Sequence, residues 1–155
     1  MRFVLQINGD PREVEAEEDV RLLDLLRDTL KLKGARFGCG SNACGACYVL
    51  IDGQAVASCD TPLWAAAGKD IVTVEGLGSE TAPHPLQQAF IDQQAAQCGY
   101  CTSGMLVSAA ALLRRNPHPD EQEVREALDR NLCRCGSHNR IVRAVMQAAE
   151  QGNAS

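Results

Sequence analysis

Three cysteines within nine residues, Cys39, Cys44 and Cys47, constrain this chain more than any other feature. They lie in Gly38-Cys39-Gly40-Ser41-Asn42-Ala43-Cys44-Gly45-Ala46-Cys47, interleaved with glycine and alanine, and Cys59 follows after eleven residues. A loop that wraps a small inorganic group needs thiolates converging on one point and backbone amides facing it. Glycine supplies the positive φ values and close backbone approach that this demands.

The C-x4-C-x2-C…C spacing is that of a plant-type [2Fe–2S] site. Tetrahedral zinc also takes four cysteines, but structural zinc uses two short C-x2-4-C knuckles set far apart, so this spacing favours the cluster. Disulfides need an oxidising compartment. Residues 1–5 run straight into a strand-like pattern with no apolar h-region or cleavage site, so a cytoplasmic chain is expected. A Rieske centre replaces two cysteines with histidines, and no cysteine here has a histidine two positions on.

At 155 residues the chain has room for one domain or two small ones. Aromatic residues make up only 4% of it, so its core must come from leucine, valine, isoleucine and alanine, and thin cores of this kind are commonly stapled by metal. A net charge of −5 without a basic block argues against nucleic acid or an anionic membrane surface as partner. No apolar run approaches the roughly 18–20 residues of a membrane span.

Residues 2–7 followed by Asn8-Gly9-Asp10 are predicted to form a strand and hairpin turn, with residues 12–16 as partner strand and Val14 and Ala16 on one face. Asp19 is then expected to cap an amphipathic helix with Leu22, Leu25, Leu26 and Leu30 at helical spacing, packed on the sheet. Residues 48–52 and 54–58, around Asp52-Gly53, read as a second hairpin that returns Cys59 toward the loop. Residues 71–74 read as a fifth strand, and residues 65–67 as a short alanine-rich patch. A mixed sheet crossed by one helix, with a cysteine loop at its rim, is a ferredoxin-like β-grasp domain, expected over residues 1–76. Gly76, Gly78, Ser79, Pro83 and Pro85 mark a boundary between Glu75 and Pro85, with a linker expected over residues 77–84. Gly76-Leu77-Gly78 lacks the third glycine of a dinucleotide loop, and no nicotinamide or flavin fingerprint occurs elsewhere.

Residues 85–155 change to a helical period. Pro85 suits a first helical position, with Leu86, Ala89 and Phe90 on one face. Residues 101–115 form a second helix, stopped by Asn116-Pro117. Asp120 and Glu123 make a capping box for a third, and Ile141, Val145, Ala148 and Ala149 mark a fourth. The fold class expected is therefore α+β, a plant-type ferredoxin-like β-grasp followed by a C-terminal four-helix bundle. His84 and His118 lie beside prolines in loops and are assigned no chemistry.

The helical half carries the other four cysteines, in Gln97-Cys98-Gly99-Tyr100-Cys101 and Asn131-Leu132-Cys133-Arg134-Cys135-Gly136. Each pair sits where a helix starts or ends, and folding one helical hairpin brings a C-x2-C and a C-x-C together. Helix amino termini offer positive dipole ends that favour thiolates. Alone, C-x2-C also suits a redox disulfide, but that needs no second pair. Between zinc and a second [2Fe–2S] cluster, the tight C-x-C geometry favours the cluster.

The motifs GCGSNACGACYVLIDG, QCGYCTSGM and NLCRCGSHNRI, in this order and spacing, make the whole chain resemble the two-cluster iron–sulfur subunit of the molybdenum hydroxylases, the xanthine dehydrogenase and aldehyde oxidoreductase family. Within it, EGLGSETAPHPLQQAFIDQQAAQCGYC is most similar to small subunits of the isoquinoline 1-oxidoreductase and nicotinate dehydrogenase type. The resemblance implies that Cys39, Cys44, Cys47 and Cys59 ligate a cluster distal to molybdenum, and that Cys98, Cys101, Cys133 and Cys135 ligate a proximal one. It also implies that Gln97 hydrogen-bonds the pterin of the molybdenum cofactor and that Cys135 is the ligand nearest to it. The molybdopterin, as the cytosine dinucleotide, would be held mainly by a large partner subunit that oxidises an N-heteroaromatic or aldehyde. Electrons would then pass through both clusters to an external acceptor, a flavin subunit or a cytochrome. No catalytic residue, nucleic-acid contact or membrane insertion is implied for this chain, and a periplasmic location would require export with a signal-bearing partner. The sequence departs from many members at Ser103 (proline there), Ser41-Asn42 (glutamate-glycine), Tyr48 (threonine) and His138 (tyrosine), none of them a ligand position. A free-standing two-cluster ferredoxin and a zinc-stapled interaction module are the rival readings. The first has no use for a pterin contact at Gln97, and the second would be colourless.

Overall fold

Two tight turns shape the first half of the chain. In the computed structural model, which describes residues 1–153, β1 (Arg2–Ile7) enters β2 (Asp10–Glu15) through Asn8 and Gly9 at φ 52° and 86°. Two successive left-handed residues match the twist of a two-residue hairpin. β3 (Tyr48–Ile51) and β4 (Gln54–Ala57) repeat this with Asp52 and Gly53 at φ 50° and 84°. β5 (Asp70–Val72) joins the hairpins, parallel to β1 and antiparallel to β3, giving the order β2-β1-β5-β3-β4. Alternation along β1 turns Phe3, Leu5 and Ile7 into the core.

The fifth strand stops two residues short of the expected end. Asn8 takes the Thr73 N–H on Oδ1 at 2.9 Å, and Val74–Gly76 then forms a 3₁₀ turn. The leucine-rich segment also differs from expectation. Asp19 caps no helix: Arg21 stays extended, bridged to Pro62, because Leu63 N donates to Val20 O at 3.0 Å and Leu22 N to Thr61 O at 2.8 Å. The helix α1 therefore begins beyond Arg21, spans Leu22–Asp24, and continues as a π-helical segment over Leu25–Thr29, closed by Leu30 N to Leu25 O at 3.0 Å. Leu22, Leu23, Leu25 and Leu26 are buried all the same. The alanine-rich patch contributes a short helix, α2 (Leu63–Ala66), which the sequence reading did not foresee.

The second half contains α3 (Pro85–Asp92), α4 (Thr102–Arg115), α5 (Glu121–Ala127) and α6 (His138–Asn153). His84, read as a plain loop residue, caps α3: its Nδ1 accepts the Leu86 N–H at 3.0 Å, and Gln87 Oε1 accepts the His84 N–H at 3.0 Å. Asp120 and Glu123 form their capping box with both bonds at 2.8 Å. α6 packs on α3 and α5, while α4 lies on β3 and β4, so one apolar core runs from the sheet into the helices. That packing explains why β3 is buried at every residue. The last two residues of the expected helical region, 154 and 155, lie outside the described residues. Among the described residues no helix is long and apolar enough to cross a membrane.

Candidate metal centres

The first cysteine set is built by backbone geometry. Gly40, Asn42 and Gly45 stand at φ 71°, 59° and 78°, and these left-handed residues fold the loop so that its amides face its own sulfurs. Cys39 Sγ accepts from Ser41 N at 3.3 Å and Ala43 N at 3.1 Å, and Ala46 N points at Cys44 Sγ at 3.5 Å. A side chain is excluded at Gly38, where a Cβ would lie 2.5 Å from Cys44 Sγ. The Ser41 and Ala43 amides pull the exposed Cys39 thiol down to about 6, so it is a thiolate at neutral pH.

Cys59 arrives on the 3₁₀ turn Ser58–Asp60 at the end of β4. Ser58 Oγ donates to Cys47 O at 2.6 Å and Cys59 N donates to Cys47 Sγ at 3.4 Å, which fixes the two buried thiols side by side. Burial pushes Cys59 up to about 11, so this thiol holds its proton until a cation is there to replace it.

The second set converges where two helices begin. Cys101 is the N-cap residue of α4, and Cys133 and Cys135 immediately precede α6. Cys98, Cys101, Cys133 and Cys135 line one open cavity of about 380 Å³, together with Tyr100, Leu132 and Arg134. Cys133 and Cys135 Sγ stand 2.9 Å apart, and Ser137 Oγ is 3.1 Å from Cys135 Sγ. The Cys133 and Ser137 hydrogen bonds lower Cys135 to about 7, whereas burial pushes Cys133 up to about 12, so Cys135 loses its proton first. Gln97 Nε2 donates to Cys135 O at 3.0 Å, which brings together the two residues singled out for the pterin contact. Among the described residues no three His, Cys, Asp or Glu side chains stand at single-ion spacing.

Amides directed at sulfur, thiols at or below neutrality in each set, and four thiols around one cavity fit an anionic sulfide cluster with thiolate ligands. The two sets are also joined, which nothing in their spacing revealed. Leu132 N donates to Cys44 O at 2.9 Å, and the buried Asn131 Nδ2 donates to Gly45 O at 3.3 Å. Arg130 Nη2 reaches Asn42 O at 3.4 Å, and Gly104 of α4 packs directly on the Gly45 carbonyl. Sequence reasoning missed Asn131, Ser137 and the Leu132 link. The only signal in the sequence was a glycine, Gly104, set in the first turn of a helix. Ser103 beside it has a buried Oγ without a partner, in a first-turn position where proline also fits because its amide bonds nothing within the helix.

A cysteine loop on a mixed five-stranded sheet and a cysteine hairpin between helices, linked through their backbones, define an iron–sulfur protein with two centres. Residues 5–71 match the 2Fe-2S iron-sulfur cluster binding domain family, and residues 73–146 match the [2Fe-2S] binding domain family. The chain is 58% identical over 146 residues to a nicotinate dehydrogenase subunit from Pseudomonas putida, covering 94% of this chain and 93% of that protein. It is 49% identical over 152 residues to the alpha subunit of isoquinoline 1-oxidoreductase from Brevundimonas diminuta, covering 97% and 98%. Among solved structures, quinoline 2-oxidoreductase of Pseudomonas putida 86 matches with a TM-score of 0.94 at 41% identity, over 100% of this chain and 97% of that one. Aldehyde oxidoreductase of Desulfovibrio gigas matches with a TM-score of 0.95 at 39% identity, over 99% of this chain and 17% of that longer one. The chain belongs to the iron–sulfur small subunits of the molybdenum hydroxylases and carries two [2Fe–2S] clusters.

Proposed function

We propose that Cys39, Cys44, Cys47 and Cys59 hold the distal cluster and Cys98, Cys101, Cys133 and Cys135 the proximal one, on domains of residues 1–76 and 85–155. The chain serves a large molybdopterin-bearing subunit that oxidises an N-heteroaromatic compound, a class supported by the nicotinate, isoquinoline and quinoline in the relatives' names. Bound [2Fe–2S] clusters supply one-electron carriers that divide a two-electron oxidation into single steps. The protein's part is ligation, spacing and electrostatics. The observation that carries the reading is the 2.9 Å bond from Leu132 N to Cys44 O, which ties one candidate distal ligand to the residue before a candidate proximal one. Gln97, already anchored on Cys135, stands where a pterin contact would reach the proximal set directly. Beyond the distal set the acceptor is a flavin subunit or cytochrome. Cys44→Ser and Cys133→Ser, made in the complex, should each abolish a different one of two [2Fe–2S] EPR signals. Loss of neither, or of the same signal in both variants, contradicts the ligand assignment.

A further inference from the structure

A second connection between the cysteine sets runs through Arg36 and Tyr100. The Arg36 backbone N donates to Ala46 O at 3.0 Å, inside the first cysteine loop. Its guanidinium crosses to the other set: Nη1 donates to Gly99 O at 2.7 Å, and the guanidinium carbon stands 5.2 Å from the Tyr100 ring centroid. Tyr100 returns the link, its hydroxyl donating to the Phe37 carbonyl two residues before Cys39. Gly99 and Tyr100 are the two residues between Cys98 and Cys101, so this clasp grips the proximal loop itself. Arg21 closes the stack, with its guanidinium 5.6 Å from the Phe37 ring centroid.

The three ion pairs among the described residues, Arg2–Glu13, Arg21–Asp24 and Arg125–Glu121, leave Arg36 out. Its charge is therefore not cancelled by a carboxylate. It rests on a carbonyl between two thiols and on an aromatic face, both partners that favour a cation without neutralising it. A cluster ligated by four thiolates is anionic and gains a further negative charge when it takes an electron. A fixed cation beside the loop favours that state, since net charge and hydrogen bonding set cluster potentials.

We propose that Arg36 and Tyr100 are positioning residues that clamp the Cys98–Cys101 loop to the first cysteine loop, and that the Arg36 charge sets how one electron is shared between the two clusters. The exchange is one electron passing between oxidised and reduced clusters, with no proton or bond change. This inference rests on the ligand assignment proposed above. If the wild-type complex shows fewer than two [2Fe–2S] signals, that assignment fails before the clasp is tested.

The test is an EPR-monitored redox titration of the intact complex in wild type, Arg36→Gln, Arg36→Lys and Tyr100→Phe. Arg36→Gln should move the electron partition away from the proximal cluster about tenfold, equivalent to about 59 mV for a one-electron couple. Arg36→Lys, which keeps the charge, should stay within about threefold of wild type. Tyr100→Phe, which frees only the hydroxyl, should narrow the spin–spin splitting between the two reduced clusters as the two loops loosen from each other. An unchanged partition in Arg36→Gln overturns the charge role, as does an equal shift in Arg36→Gln and Arg36→Lys. An unchanged splitting in Tyr100→Phe overturns the clamp.

Discussion

Replacing Gly104 with alanine sets two effects against each other, and their magnitudes decide the sign. Gly104 is the third residue of α4, where alanine gains about 1 kcal/mol over glycine on helix propensity alone. The new Cβ, however, would run into the Gly45 carbonyl oxygen. That oxygen is held in place, accepting from Tyr48 N and Asn131 Nδ2, each at 3.3 Å. Gly45 has no room to retreat: its own Cβ position lies 2.6 Å from Asn131 Nδ2 and 3.0 Å from Arg130 O. Forcing helix and loop apart costs about 1–3 kcal/mol of overpacking. Each hydrogen bond broken on the way adds about 1 kcal/mol. With the propensity gain subtracted, a net destabilisation of about 2 kcal/mol is expected, which lowers the melting temperature by about 4–8 °C for a chain of this size. The assay is thermal bleaching of the visible cluster absorption in the purified complex, with EPR spectra recorded before heating. The distal signal should be the one perturbed, because Gly45 lies between Cys44 and Cys47. An alanine variant that melts at or above the wild-type temperature, with an unchanged distal signal, would refute the close contact.

Three further outcomes are expected. Burial holds His84 below the ordinary imidazole value of about 6.5, and protonation removes the lone pair that accepts the Leu86 N–H. The unfolded chain therefore binds that proton first, and the stability His84 contributes is full above about pH 6.5 and fades below it. His84→Asn keeps a capping side chain without the titration, so its melting temperature should fall less than the wild type's between pH 7.5 and 5.5. Asp120→Ala removes the acceptor for Glu123 N and should cost about 1 kcal/mol, seen as a melting temperature lowered by about 2–4 °C. Cys59→Ser should abolish the distal EPR signal while leaving the proximal one, because Cys59 is tied to Cys47 and not to the helical set.

Where the chain's local chemistry decides, the sequence is readable. Asn8-Gly9 and Asp52-Gly53 can adopt successive left-handed conformations, and both became hairpin turns. Asp120 and Glu123 are three residues apart on one short helix, so their capping box needs no distant partner. The spacings within each cysteine loop belong to the same class, since Ala43 N and Tyr100 N turn onto cysteines of their own loops. What escaped depends on segments far apart in sequence. Asp19 has the chemistry of a cap, but Arg21 is held extended against Pro62, and a helix cannot begin before Leu22. Asn131 precedes a cysteine motif like any loop asparagine; only the fold puts Gly45 against it, 86 residues away. The same holds for Arg36 and Gly99, 63 residues apart. Periodicity placed Leu22, Leu25 and Leu26 in the core, but the π-helical winding also buries Leu23 and leaves Leu30 only half-buried.

The central claim is that one chain carries two binuclear iron–sulfur clusters in a molybdenum hydroxylase complex. Its most direct test is the iron, zinc and molybdenum content of the protein purified from its own host with the chains that accompany it. The expected result is about four irons per copy of this chain, with about one molybdenum and little zinc. Iron without molybdenum or a partner chain would leave a free-standing ferredoxin, and zinc in place of iron would contradict the account at its root.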